Sequence, residues 1–233
     1  MDTIDPASRI VVALDVEELD RGVELARRLS GRVGWLKVGL ELFVKEGPRA
    51  VAAIAEHAPV FLDLKLHDIP TTVARSVISA AALDARLLTV HASGGPAMLR
   101  AAADAAMEAS DGRLRLLAVT VLTSTSDDEL ARMGIEGAQE QVPRLASLAV
   151  ANGSDGLVCA PADLTRVRAA VGHETLVVTP GIRARASASD DHARAMSAAA
   201  AVDAGADLLV IGRPITRADD PVAAVEEIVA TLA

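Results

Sequence analysis

The sequence predicts a single (β/α)8 barrel over residues 1–233. Short apolar runs alternate strictly with Ala-rich amphipathic stretches, the pattern of parallel strands joined by crossover helices. The apolar runs number eight in 233 residues, the strand count of this barrel near the lower end of its usual length. The stretch Leu14-Asp15-Val16-Glu17 after the first run has none of the glycines that often open the first helix of a doubly wound sheet, the runner-up fold.

The predicted strands cover residues 10–14, 35–39, 60–64, 87–91, 114–121, 156–159, 175–179 and 208–212. They are rich in Val, Leu and Ile, as strands buried on both faces are. The predicted helices cover residues 17–29, 41–57, 70–83, 96–109, 142–152, 162–171, 190–204 and 221–232. Hydrophobic residues make up 51% of the chain and aromatic residues 1%, so the core is expected to be built from Ala, Val, Leu and Ile. No linker or low-complexity break marks a second domain. The Ala-, Ser- and Arg-rich stretch 183–191 is the segment expected to move.

Composition narrows the function. A net charge of −9 argues against nucleic acid as a partner, since its backbone calls for a basic stripe, but leaves room for a small anion held by a few local cations. The single cysteine, Cys159, excludes an internal disulfide framework and suits the cytoplasm. No apolar run reaches the roughly 18 residues of a membrane helix. The acidic first residues lack a signal-peptide pattern.

The chemistry concentrates in Asp63-Leu64-Lys65-Leu66-His67-Asp68-Ile69-Pro70-Thr71-Thr72. In a regular strand Asp63 and Lys65 share a face. Opposite charges at the end of a buried strand carry a desolvation penalty that chains tolerate mainly at working sites. Pro70 suits the first turn of the following helix, where a missing N–H is harmless. Other polar residues also fall at strand ends, where barrel enzymes work. They are Asp15, Lys37 before Gly39, His91, Thr123-Ser124, Gly181 to Arg183, and Gly212-Arg213. In this fold the loops after strands seven and eight commonly bind phosphate. Gly181 and Gly212 would admit close backbone approach, and Arg183 and Arg213 would add planar cationic donors. A phosphate monoester is the expected substrate.

These motifs resemble the orotidine 5′-phosphate decarboxylase family over nearly the whole chain. Val12-Ala13-Leu14-Asp15 resembles the family's opening strand and Leu36-Lys37-Val38-Gly39 its second. Asp63 to Thr72 resembles its active-site signature, and Val119 to Ser124 the strand-five segment that faces the pyrimidine. Thr179 to Arg183 and Val210 to Thr216 resemble its phosphate loops. One departure is visible. Where the family often has Asp-Gln beyond the strand-seven arginine, this chain has Asp191-His192. A histidine there either donates to phosphate or points away and leaves that contact to water.

The resemblance implies conversion of orotidine 5′-phosphate to UMP and CO2. Lys65 would stabilise charge at C6 and protonate it, with Asp63 beside the departing carboxylate. Lys37 and Asp68 would complete an alternating series Lys37, Asp63, Lys65, Asp68 that keeps Lys65 protonated. It further implies Asp15 and Lys37 at the ribose hydroxyls, Thr123 near the base, and Arg183, Gly212 and Arg213, with His192, at the phosphate. Asp68 and Thr72 would reach into a neighbouring subunit's site, making a homodimer with shared sites. His67 and His91 are expected to be structural. No metal is implied, because Lys65 stands between Asp63 and Asp68 where a divalent ion would otherwise supply positive charge. No redox cofactor is expected, for want of a dinucleotide fingerprint.

Two other readings compete. A Mg²⁺-dependent keto-sugar-phosphate decarboxylase or hexulose-phosphate synthase shares the Asp-x-Lys-x-x-Asp spacing, but the Ile69-Pro70-x-Thr72 extension and Leu122-Thr123-Ser124 argue against it. A non-catalytic nucleotide-binding protein would not need both lysines and both aspartates.

Overall fold

The structure is a computed structural model that describes residues 5–183, with Arg183 described by its backbone, and residues 196–232. Eight parallel strands close into a barrel: β1 (Ile10–Ala13), β2 (Trp35–Gly39), β3 (Val60–Leu66), β4 (Leu87–His91), β5 (Arg115–Val119), β6 (Gly156–Val158), β7 (Leu176–Pro180) and β8 (Leu208–Ile211). Each strand pairs with its neighbours in sequence, and β8 closes on β1 through Ile10↔Leu209 and Val12↔Ile211.

Alternation along the strands builds two cores. Val11, Ala13, Phe61, Leu87, Leu117, Val178 and Val210 fill the barrel interior. Their neighbours, such as Ile10, Val12, Leu62, Leu88 and Ile211, face outward into the layer under the helices. That layer consists of α1 (Leu19–Leu29), α2 (Leu40–Glu46), α3 (Pro48–Ala55), α4 (Pro70–Ala81), α5 (Gly95–Ser110), α6 (Asp127–Arg132), α7 (Ala138–Ala151), α8 (Leu164–Val171), α9 (Ala198–Asp203), α10 (Arg213–Thr216) and α11 (Pro221–Ala230).

Several boundaries differ from expectation for identifiable reasons. The helix predicted over 41–57 is broken between α2 and α3, because Pro48 has no N–H with which to continue α2. The helix predicted over 142–152 begins earlier, at Ala138, whose N–H is taken by the Asp127 carboxylate at 2.9 Å. Helix α6 was not expected, although its capping box is legible as Ser126 and Glu129. Of the helix predicted over 190–204, α9 begins at Ala198 with Ser197 as its cap, and residues 184–195 lie outside the described residues. The same holds for most of the stretch 183–191 expected to move.

Candidate active site

At the C-terminal end of the barrel the inward face turns polar. Ala13 is followed two residues later by Asp15, Trp35 by Lys37, and Phe61 by Asp63, so strand alternation carries the interior apolar series directly into charge. The buried Lys37 ammonium lies 3.1 Å from Asp15 Oδ1 and 3.4 Å from Asp63 Oδ2. Lys65 Nζ donates to both oxygens of Asp63, at 2.8 and 2.9 Å. The result is a chain of alternating sign, Asp15–Lys37–Asp63–Lys65. Lys37 is buried and Asp63 mostly so, Lys65 is partly open to solvent and Asp15 is exposed. Burial by itself would raise the Asp63 carboxyl. The ammonium groups of Lys37 and Lys65, and hydrogen bonds from Lys65 and Thr89, outweigh it and hold Asp63 below the usual carboxylate range.

Lys65 does not reach Asp63 by the plain alternation expected of a flat strand. Its φ is +51°, and the β3–β4 register shifts around it. Leu62 pairs with Leu88 and Leu66 with Val90, so Asp63, Leu64 and Lys65 stand opposite Thr89 alone. The two charges meet on a bulge.

These groups line a cavity of about 410 Å³ that also takes in Thr123, Gly181, Gly212 and Arg213, over an apolar floor of Ala13, Phe61, Val158 and Val210. Gly181 adopts φ +83°, a left-handed conformation that disfavours any side chain. Gly39 matters through space: a Cβ there would sit 3.0 Å from Lys37 Nζ and 3.1 Å from Asp15 Oδ1, pressing on that ion pair.

The remaining expected site residues fall elsewhere. Asp68 is exposed, and its Oδ1 accepts the Ile69 N–H at 2.6 Å. Thr72 is exposed on the first turn of α4. Neither lines the cavity, so within this chain Asp15, and not Asp68, supplies the second carboxylate of the alternating series. The Arg183 side chain and all of His192 lie outside the described residues. His67 and His91 pack ring to ring with centroids 5.5 Å apart, and neither lines the cavity. Burial, with smaller contributions from His67 and Lys65, pulls His91 below the usual imidazole range.

Sequence reasoning missed three residues at or behind the site. Gly39 leaves room for the Lys37–Asp15 pair that a Cβ would press on. Cys159 lines the cavity, but burial, with Asp163 adding, pushes its thiol up to about 12, so it is no thiolate nucleophile near neutral pH. Thr89 is completely buried behind Asp63. Its signal was a hydroxyl sharing the inward face of Leu87, masked by the ordinary preference of Thr for strands. Among the described residues no group of three or more His, Cys, Asp or Glu side chains is placed to hold a metal ion.

Comparison with known proteins gives this geometry a family. Residues 8–228 match the model of the orotidine 5′-phosphate decarboxylase / HUMPS family. The chain belongs to that family. It is 49% identical over 226 residues to an orotidine 5′-phosphate decarboxylase of Trichlorobacter lovleyi, covering 95% of this chain and 94% of the relative. It is 50% identical over 229 residues to that of an Anaeromyxobacter species, covering 97% and 99%. The crystal structure of the Lactobacillus acidophilus orotidine 5′-phosphate decarboxylase superposes with a TM-score of 0.84 at 36% identity, covering 96% of this chain and 98% of that one. These three relatives, matched over nearly their whole length, carry the decarboxylase name.

Proposed function

We propose that this enzyme converts orotidine 5′-phosphate to UMP and CO2 in pyrimidine biosynthesis, with the Asp15–Lys37–Asp63–Lys65 chain as its catalytic apparatus. The observation that carries the assignment is Lys65 Nζ, held by both oxygens of Asp63 at the edge of a cavity large enough for a nucleotide. The C6–carboxylate bond breaks with its electron pair left on C6, and neutral CO2 departs. The Lys65 ammonium stabilises that charge and delivers its proton to C6, and the amine then recovers a proton from water. Asp63 stays ionised beside the departing carboxylate, and Lys37 on its far side shares its charge.

The chemistry of the cavity lining supports the rest of the reading. Asp15 and Lys37 suit the ribose hydroxyls, Thr123 the base, and Gly181, Gly212 and Arg213 the phosphate. On the family resemblance Arg183 joins them at the phosphate, and His192 either donates there or leaves that contact to water. The enzyme acts as a homodimer in the cytoplasm. In support, Asp68 and Thr72 are exposed and do not line their own cavity, and the large apolar Ile69 between them is exposed. Its one cysteine is buried and free, as suits a reducing compartment.

Purified enzyme is expected to bleach the ultraviolet absorbance of orotidine 5′-phosphate with or without a chelator. No turnover by folded protein overturns the reading, and turnover lost to the chelator favours the metal-dependent sugar-phosphate reaction. Mixing Lys65→Ala with Asp68→Ala subunits should restore one intact site in each heterodimer, roughly a quarter of the wild-type rate after random exchange. No recovery after confirmed exchange would show that sites are not shared.

A further inference from the structure

Thr89 lies behind the reacting groups and touches no part of the cavity. It is nevertheless bonded to both members of the central ion pair. The Lys65 backbone N–H donates to Thr89 Oγ1 at 2.9 Å, and the Thr89 hydroxyl donates to Asp63 Oδ1 at 2.9 Å. The directions are forced. A backbone N–H can only donate, so the Thr89 oxygen must accept from Lys65, and its single proton is left for the carboxylate.

The register explains why a hydroxyl is needed there. Three residues of β3, Asp63 to Lys65, stand opposite one residue of β4, so the regular ladder between the strands is interrupted at that point. An interrupted ladder leaves buried backbone donors to be satisfied by other means. Lys65 also sits at φ +51°, a conformation unfavourable for a long side chain unless its surroundings enforce it. The Thr89 hydroxyl takes the Lys65 N–H and ties it to the carboxylate that holds the same residue's ammonium. Backbone and side chain of Lys65 are thereby anchored to one oxygen of Asp63, directly through Nζ and indirectly through Thr89.

We propose that Thr89 is a positioning residue for decarboxylation: its hydroxyl pins the β3 bulge that aims Lys65 and orients Asp63 in the cavity. The inference rests on the assignment of Asp63 and Lys65 as the reacting groups. It predicts a defect in turnover with little change in ground-state binding, because Thr89 contacts no substrate group.

The test compares Thr89→Val, which keeps the branched shape and removes the hydroxyl, with Thr89→Ser, which keeps the hydroxyl and removes the methyl group. Thr89→Val is expected to lower kcat on the order of 10- to 100-fold, the scale of losing a hydrogen bond to a charged group. Its affinity for UMP should change less than about threefold, as follows for a contact felt mainly in the transition state. Thr89→Ser should recover most of kcat. A merely structural threonine would not move the acid limb of the pH–kcat profile. Loss of the donor to Asp63 should shift that limb to higher pH in Thr89→Val and leave it in place in Thr89→Ser. If Thr89→Val does not fold, the serine variant decides alone: near-wild-type kcat with an unmoved acid limb supports the proposal, and a kcat loss above tenfold overturns it. A folded Thr89→Val with wild-type kcat, or a serine variant as impaired as the valine one, also overturns it. Should wild-type turnover survive Lys65→Ala, the underlying assignment fails first, and the two failures are told apart.

Discussion

The barrel carries an ion-pair network at each end, and the two are built differently. At the N-terminal end Arg168 donates to protein from all three guanidinium nitrogens. Nε donates to Gly205 O at 2.8 Å, Nη1 to Gly172 O and Thr175 O at 3.0 and 2.7 Å, and Nη2 to Asp207 Oδ2 at 2.6 Å. Asp207 Oδ2 also takes the Val177 N–H at 2.7 Å, and Asp155 does the same for Leu116 one strand pair away. At the C-terminal end the charges hold one another but border a cavity, and Lys65 keeps part of its ammonium open to it. A network closed on backbone carbonyls can only hold strands together. One that leaves a charged face toward an apolar-floored cavity retains the capacity to act on a ligand, and pays in desolvation for it.

The sharpest way to break this contrast is at Lys65. Lys65→Ala should lose on the order of 10⁴-fold or more in kcat, since it removes both the acid and the stabilising cation. It should still fold and bind UMP. Substantial residual turnover would remove Lys65 from its role, and collapse of the fold would make the mouth network structural after all.

The opposite change belongs at the floor. Arg168→Met should destabilise the protein by about 1–3 kcal/mol, because it removes the donor to three backbone carbonyls and leaves the part-exposed Asp207 carboxylate with the Val177 N–H. Below the melting transition its kcat should match wild type. Urea midpoints and turnover measured on the same samples check both halves; an intact midpoint, or a kcat loss in fully folded protein, would erase the distinction between the two ends.

The mouth was far more legible in the sequence than the floor. Lys37 and Asp63 interrupt the apolar runs of β2 and β3, and Asp15 follows β1, each two residues after an inward-facing apolar residue, so their placement follows from alternation. Arg168 and Asp207 are 39 positions apart, on a helix and before a strand, and no local pattern joins them. The bulge at Lys65 was hidden for a similar reason. It is a property of how β3 pairs with β4, and Thr89 looks like any strand threonine until that pairing is known. The place of Asp15 in the series was also out of reach: within one chain it is the pairing of β1 with β2 that brings Asp15 to Lys37, while Asp68, expected from the resemblance to serve a neighbouring subunit's site, bonds its own Ile69 N–H. The capping box of α6 and the Gly47-Pro48 break were legible and were overlooked.

The smallest expected effect separates the two ends by pH. Asp63 is held below its ordinary range by Lys37 and Lys65 against its burial, so its ionised form favours the folded state. A group with a depressed folded pKa contributes stability that is complete above its unfolded value, about 4 for a carboxylate, and is lost as pH falls through the folded value. Urea midpoints of wild type and Asp63→Asn, taken from pH 7 down to the acid transition, should therefore differ by a constant amount near neutrality and converge in acid. If the difference stays flat or widens on acidification, the lysines do not outweigh burial at Asp63. The mouth network would then be a strain on the fold at every pH, where the geometry makes it a partly compensated charge chain whose stabilising share disappears only when Asp63 takes up a proton.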